Sequence, residues 1–365
     1  MDKRRDVIIT VALAAVAAAA LVCACGDGPQ LAEPTAWAKV ATFPEDATAI
    51  NGLTSAEVDA IYAVGSRTPN GEGWPHPVVY RFDGTRVSEA YLSPYDGKFS
   101  GADAYGGEVI AAGNKHTSPN HTRPYVVRYS GAAWEEITVP SSINEISFLR
   151  VYVGSGGRYW FQGREGVYIY SDGVWTTALV INDPYLAVTT NGRAFVFKPN
   201  HYGTGGDVYV SDDAGRSWRS ENVQLEDSSF YSPDSFNPIV VASAGEGFAL
   251  RSDFKANVNE EIIYSGVIAR DDAPAGEGTY NIAFSAPHGP NFYDIMAMAF
   301  ASASDGYCVG NLTSVKLDDG VWVQEDLLTM SDIMFSGVTA GPSRYWSVGS
   351  PGSHRYPIIL FEATR

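Results

Sequence analysis

Short apolar segments alternate with polar, glycine-rich turns along almost the whole chain. One unit recurs: an apolar strand, a polar turn, a second strand ending in an aromatic-x-Val-Gly pattern, a variable loop, an alternating strand, an Asp/Gly turn, and a strand that begins with Trp. Alternation over a few positions is typical of β-strands, and turns rich in Gly and Asp join such strands into hairpins. The second strands with this shared ending lie at 62–65, 109–113, 159–163, 307–310 and 345–349.

The third strands and their turns repeat as clearly, at 80–84, 129–134, 170–175, 211–218 and 317–322. A spacing of this kind predicts a repeat architecture in which each unit is one small sheet. The fifth unit is the weakest, because no Trp follows its turn. The landmarks define seven units, which begin near residues 45, 100, 145, 185, 237, 291 and 332.

The two ends of the repeat region complement each other. The last unit stops at 358–361 without its Trp-led strand, and an unpaired Trp-led strand, 36–40, opens the region at Trp37. If the two segments pair, the ring closes and both sheet edges are covered. The sequence therefore predicts one all-β domain over 36–365, a β-propeller of seven blades closed by its N- and C-terminal strands. Counts of six or eight blades stay open because the fifth unit is poorly defined.

Residues 211–218 read Ser-Asp-Asp-Ala-Gly-Arg-Ser-Trp and match the pattern Ser-x-Asp-x-Gly-x-x-Trp. This resembles the Asp-box of the BNR, sialidase-like propellers, and the whole repeat resembles kelch-like propellers more loosely. The resemblance implies a structural box that opens with Ser211. Asp213 would cap backbone N–H groups, Gly215 would take a conformation costly for other residues, and Trp218 would pack between blades. It implies a fold and carries little information on activity.

The N-terminus carries a separate signal. A short basic segment precedes an apolar run, 7–22, which is short for a membrane span and is followed by small residues, as in a secretory signal. Val22, Ala24 and Cys25 resemble a bacterial lipobox, which implies a signal peptide over 1–24 and diacylglycerol and acyl chains such as palmitate on Cys25. Residues 25–35 then read as a flexible tether. An ordinary signal cut after Ala24, or an uncleaved anchor, are the alternatives.

The expected partner of an acylated Cys25 is a lipid bilayer, so the protein is expected to be exported and anchored in the cell envelope. Gly26 follows the modified residue, where an Asp would indicate retention in the inner membrane. In a two-membrane bacterium this favours the outer membrane.

The composition indicates which partners and chemical groups can be expected. The formal net charge is −17, so like charge would repel phosphate backbones, and no nucleic-acid partner is expected. The apolar share of 45% is enough for a core. Beside the acylated Cys25, the mature chain would keep Cys308 as its one free thiol, which reads as buried and inert. No cofactor is expected, and the protein is expected to be a monomer.

An enzymatic interpretation finds little support in motifs. Sialidase-like enzymes would need an arginine triad and a Phe/Tyr-Arg-Ile-Pro motif, and the segment 80–83 lacks the Ile-Pro. Arg81 and Arg128 occupy equivalent positions of the repeat, which a strand-surface role explains. Acidic pairs such as 271–272 lie in turns, where Asp is a common turn former. No catalytic residue is therefore assigned.

The histidines are distributed less evenly. In a propeller the loops between second and third strands and the connections between blades open on one face, here called the loop face. The Asp-boxes lie on the other face, here called the turn face. All six histidines, with three aromatic residues, fall in loops expected on the loop face: Trp74, His76, His116, His121, His201, Tyr202, His288, His354 and Tyr356.

This set of residues can be interpreted as solvated loops, as a binding face or as a metal site. No metal is assigned, because no fixed spacing of metal ligands is visible. The working hypothesis is a membrane-tethered, non-catalytic propeller that binds carbohydrate or protein through the loop face. A sialidase-like or other glycan-active enzyme is one alternative. An assembly or scaffold factor for a membrane protein complex is the other.

Overall fold

The protein is described here by a computed structural model. It covers residues 37–364 apart from 58–59, 70–72, 120, 155, 190–191, 200–205, 224–228, 231–239, 245–246, 256–262, 272–278, 288–294, 303, 311–312, 326–332 and 352–357. The described residues form 29 strands in seven sheets. In this part of the chain no helix has the length and apolar character needed to cross a bilayer.

The first three sheets are four-stranded antiparallel meanders, here called blades 1 to 3. Blade 1 contains β2 (Ala47–Glu57), β3 (Ala60–Arg67), β4 (His76–Phe82) and β5 (Val87–Leu92). Blade 2 contains β6 (Gly97–Tyr105), β7 (Glu108–Ser118), β8 (His121–Tyr129) and β9 (Trp134–Glu136). Blade 3 contains β10 (Arg150–Gly154), β11 (Arg158–Gln162), β12 (Gly166–Ser171) and β13 (Val174–Val180).

Blades 4 and 6 follow the same plan. Blade 4 contains β14 (Tyr185–Val188), β15 (Ala194–Pro199), β16 (Gly206–Ser211) and β17 (Arg219–Val223). Blade 6 contains β23 (Ile295–Ser302), β24 (Asp305–Gly310), β25 (Thr313–Asp318) and β26 (Val321–Glu325). Between them lies sheet 5, with β18 (Ser229–Phe230), β19 (Val240–Ala244), β20 (Gly247–Lys255), β21 (Ile263–Asp271) and β22 (Thr279–Pro287).

Blade 7 joins the two ends of the domain. Its strands are β27 (Ile333–Ala340), β28 (Arg344–Pro351), β29 (Ile359–Thr364) and, outermost, β1 (Ala38–Thr42). β1 pairs antiparallel with β29, with Lys39 opposite Phe361 and Thr42 opposite Ile359. The predicted closure is confirmed, with the strand two residues further along than expected and Trp37 directly before it.

The innermost strands of the seven sheets contact one another in chain order, and the last contacts the first, so the sheets form a closed ring. The all-β propeller architecture is therefore confirmed. Six of the sheets are regular four-stranded blades. Sheet 5 departs from the predicted four-stranded blade. Its two short strands β18 and β19 pair with successive stretches of β20 and together take the place of one innermost strand. It coincides with the weakest sequence unit.

Tryptophans that lead outermost strands join neighbouring blades. Trp175 donates from Nε1 to the carbonyl of Thr138 at 2.9 Å, and Trp218 donates in the same way to Ala178 at 2.9 Å. Trp37 donates to the Ser314 hydroxyl of blade 6 at 3.0 Å. An indole buries a large apolar area and still requires a partner for its N–H, so each such residue fixes two blades together.

Residues in the inner strands also bridge adjacent blades. The Asn51 amide donates to the Phe99 carbonyl at 2.7 Å, and the Tyr152 hydroxyl donates to the Leu186 carbonyl at 2.6 Å. The Asp103 carboxylate of blade 2 accepts the Val153 N–H of blade 3 at 2.7 Å. These contacts satisfy edge-strand backbone groups that face the centre of the ring, where pairing partners are lacking.

Candidate functional site

Several predicted binding residues meet where blades 1 and 2 adjoin on the loop face. Trp74 lies in the β3–β4 connection, and His116 lies at the end of β7. Three backbone hydrogen bonds tie the segments together: Gly97 N to Pro75 O at 2.7 Å, Ser93 N to Pro77 O at 2.9 Å, and His116 N to Asp96 O at 2.8 Å. This group is called the seam site and consists of Trp74, His76, Tyr95, Asp96, Lys115 and His116.

Trp74 is the most exposed aromatic side chain of the site, at 69%. Its ring centroid lies 6.0 Å from that of His116, with the planes tilted by 45°. The His116 Nδ1 lies 3.2 Å from the Thr122 hydroxyl, which orients the imidazole. The result is a flat apolar surface in water with polar groups at its edge.

His76 is held on both ring nitrogens. Its Nδ1 lies 3.0 Å from the Ser93 carbonyl, and because a carbonyl only accepts, Nδ1 carries the proton. Its Nε2 lies 3.5 Å from the half-exposed Asp96 carboxylate. These two contacts fix the orientation of the imidazole beside Asp96.

Lys115 packs its ammonium group against two tyrosine rings. Its ammonium lies 4.3 Å from the centroid of the Tyr95 ring and 4.8 Å from that of Tyr125, and it pairs with Glu136 at 2.5 Å. Such cation–π contacts hold the rings in place. Tyr125 also hydrogen-bonds the hydroxyl of Tyr91, and burial raises the pKa of Tyr125. The side chains beneath Tyr95 are therefore rigid.

The second strand pair of blade 2 is longer than the sequence suggests. His116 and His121 were expected in a loop, but strand pairing continues through Lys115 opposite Arg123 and His116 opposite Thr122. His121 begins β8 and is exposed, with its carbonyl accepting from Thr117 at 3.3 Å. The hairpin extension places His116 on a strand, which is a firmer support than a loop.

The other predicted binding residues lie outside the described residues: His201, Tyr202, His288, His354 and Tyr356. Cys25, the signal over 1–24 and the tether over 25–35 also lie outside them. Sequence reasoning missed Tyr95, Asp96 and Lys115. Tyr95 and Asp96 could have been noticed because they stand in a blade-to-blade connection, which opens on the loop face.

The Asp-box lies on the turn face, and its side chains form hydrogen bonds within their own turn. The Asp213 carboxylate accepts the Ser217 N–H at 2.9 Å and its hydroxyl at 2.6 Å, and these bonds lower the pKa of Asp213 to about 2. The Ser211 hydroxyl accepts the Gly215 N–H at 2.8 Å. Gly215 has φ +84°, and a Cβ there would lie 2.6 Å from Ile169 of blade 3. The close approach of another blade, as well as the dihedral angle, favours glycine.

A cavity of about 450 Å³ lies at the centre of the ring, lined by inner strands of blades 1, 2, 3, 4, 6 and 7. Asp103 and Arg150 are among the residues that line it. Burial raises the pKa of Asp103 to about 6, although bonds from Val153 N and the Thr54 hydroxyl oppose the shift. Among the described residues no group of three or more His, Cys, Asp or Glu is placed to hold a metal ion.

Stability should depend on the charge of Asp103. An acid whose pKa is raised on folding stabilises the native state below its unfolded pKa, near 3.8, and loses that contribution as pH rises through about 6. Two pKa units correspond to roughly 3 kcal/mol. We expect Asp103→Asn to flatten the dependence of unfolding free energy on pH between 4 and 7, as measured by urea denaturation. An unchanged slope in the variant would show that another group causes it.

Comparisons with known proteins agree on the fold. No protein-family model matches the chain, and no curated protein matches it in sequence. The WD40 β-propeller domain of Doa1 is similar with a TM-score of 0.54 and 9% identity, covering 90% of this chain and 97% of that one. The β-propeller domain of Cps50 (Swd1) from Myceliophteria thermophila gives 0.56 and 10%, covering 90% and 100%. Sqt1 from Chaetomium thermophilum gives 0.53 and 12%, covering 90% and 89%.

The chain is thus a β-propeller, structurally similar to WD40 propellers. Identities of 9 to 12% show the fold alone.

Proposed function

We propose that this protein is a non-catalytic binding propeller tethered to a membrane through an acylated Cys25, and that its seam site binds carbohydrate. The single observation that carries the ligand class is Trp74, which is 69% exposed beside the imidazole of His116. Its ring offers a flat apolar surface on which a ligand ring can stack.

Carbohydrate suits this arrangement better than a purely apolar ligand. The C–H face of a sugar ring can lie on the indole, while its hydroxyls need donors and acceptors within reach. His76, Asp96 and His116 supply both kinds of group. The lipobox around Cys25 supports the membrane tether.

Trp74→Ala should weaken carbohydrate binding at least tenfold, a loss of about 1.4 kcal/mol or more. The mature chain would be probed on a glycan array, and the affinity for the best glycan would be measured by titration calorimetry. Tyr105→Ala is the matched control, because Tyr105 is 49% exposed but lies on the turn face at the end of β6.

An array without any bound glycan, or full affinity in the Trp74 variant, would contradict the proposal. Release of product from the bound glycan would instead favour the glycan-active enzyme. Stable co-purification of a protein with no glycan bound would favour the scaffold.

A further inference from the structure

The chain enters the propeller on the turn face. Trp37 directly precedes β1, in which Ala38 lies opposite Glu362 and Thr42 lies opposite Ile359. In β29 the residues near Thr364 lie beside Arg344, at the turn between the first and second strands of blade 7. β1 therefore begins at the turn face, on the rim of the ring, and runs towards the loop face.

The seam site lies on the opposite face. Trp74 belongs to a loop between second and third strands, and Tyr95 belongs to a connection between blades. Both kinds of connection open at the ends of the strands that are remote from the start of β1. The entry point of the chain and the proposed ligand site are thus separated by the full thickness of the ring.

The length of chain between the lipid-bearing residue and the ring limits how the ring can turn. Residues 26–36 connect Cys25 to Trp37. Fully extended, at about 3.3–3.6 Å per residue, they reach at most about 40 Å. The seven-residue strand β13 is about 20 Å long from end to end, which gives the scale of the ring's thickness. Bringing the loop face to the membrane would use about half of this reach along the rim, whereas the turn face lies next to Trp37 and requires none of it.

We infer that the turn face looks towards the bilayer, and that the seam site looks away from it and receives its ligand from the aqueous side. This inference rests on the proposed acylation of Cys25. It follows from the position of β1 and the length of the tether, and it does not depend on what the ligand is.

The orientation can be measured with two positions on one strand. Val174 and Val180 begin and end β13, and they are 62% and 80% exposed. Val174 lies at the turn face and Val180 at the loop face, roughly 20 Å apart. Single Val174→Cys and Val180→Cys variants of the acylated protein would be labelled with a donor dye and reconstituted in phosphatidylethanolamine–phosphatidylglycerol vesicles that carry an acceptor lipid. The buried Cys308 stays unlabelled, since burial raises the pKa of its thiol.

We expect energy transfer to the acceptor lipid to be at least twofold higher from position 174 than from position 180. Val321→Cys, at a turn of blade 6, should behave like position 174. Equal transfer would indicate a ring standing on edge, and higher transfer from position 180 would indicate the reverse orientation; either overturns the inference. Vesicle flotation separates the two proposals. The wild type should float and Cys25→Ser should not, and a wild type that stays in solution refutes the anchor itself and the orientation with it.

Discussion

Replacing Trp37 by alanine is expected to lower the free energy of unfolding by about 3–5 kcal/mol, a large part of the stability of most domains. Trp37 is 2% exposed, and its ring lies 5.2 Å from that of Tyr307 in blade 6 and 5.5 Å from that of Phe335 in blade 7. Its removal leaves a cavity at the joint that closes the ring. It also removes the hydrogen bond from the indole N–H to the buried Ser314 hydroxyl.

Urea denaturation followed by circular dichroism would measure this loss on the mature chain. Trp74→Ala is the matched control, because its ring is largely in solvent, and it should change the unfolding free energy by no more than about 0.5 kcal/mol. Similar losses in the two variants would mean that β1 contributes little to closure. A shortened chain that begins after Thr42 should lose cooperative unfolding altogether, because the edge of β29 would be uncovered and the contacts of Trp37 with blade 6 would be lost.

The repeat and its closure could be predicted from local pattern. Most units carry the same alternation and the same turn chemistry, and Asp172-Gly173 and Asp319-Gly320 both take positive φ in equivalent turns. The last unit lacks an outermost strand and the N-terminal end has an extra one, which predicts that the two ends pair. The pairing of β1 with β29 confirms this prediction. Periodicity is a property of the chain alone, so no long-range contact has to be known.

The seam site was predictable only in part, for a physical reason. Trp74 and His116 were recognisable as loop-face residues, but their contact depends on how far two adjacent blades are rotated against each other. Lys115 was missed because a lysine in a hairpin reads as a solvated charge, whereas here two tyrosine rings and Glu136 surround it. Which charges become enclosed is decided by packing between units, which the repeat does not specify.

The recurring glycine in the second strands has a structural role that the sequence pattern did not reveal. Gly65, Gly113, Gly310 and Gly349 each lie opposite the residue at which the inner strand of their blade shifts register. A β-bulge bends its strand and brings backbone closer to the partner. The glycine therefore leaves room for the bulge in the inner strand of the same blade. It recurs along the sequence because the bulge recurs in these blades.

Gly113→Ala and Gly65→Ala are accordingly expected to destabilise the protein by about 3 kcal/mol each, at the upper end of overpacking costs. A Cβ at Gly113 would lie 2.1 Å from the Lys98 carbonyl oxygen, and one at Gly65 would lie 1.9 Å from that of Ala49. Both obstacles are backbone atoms of a paired strand, so the clash can be relieved only by separating β6 from β7 or β2 from β3.

Gly337→Ala is the control within the same repeat, because its added Cβ would meet only the Val348 Cγ1, at 3.3 Å. A methyl group can move where a carbonyl in a β-ladder cannot, so this variant should lose only about 1 kcal/mol. Chemical denaturation of the three variants measures the order. If Gly113→Ala were as stable as Gly337→Ala, the inner strand would be able to straighten, and the bulge would be a consequence of the glycine instead of the reason for it.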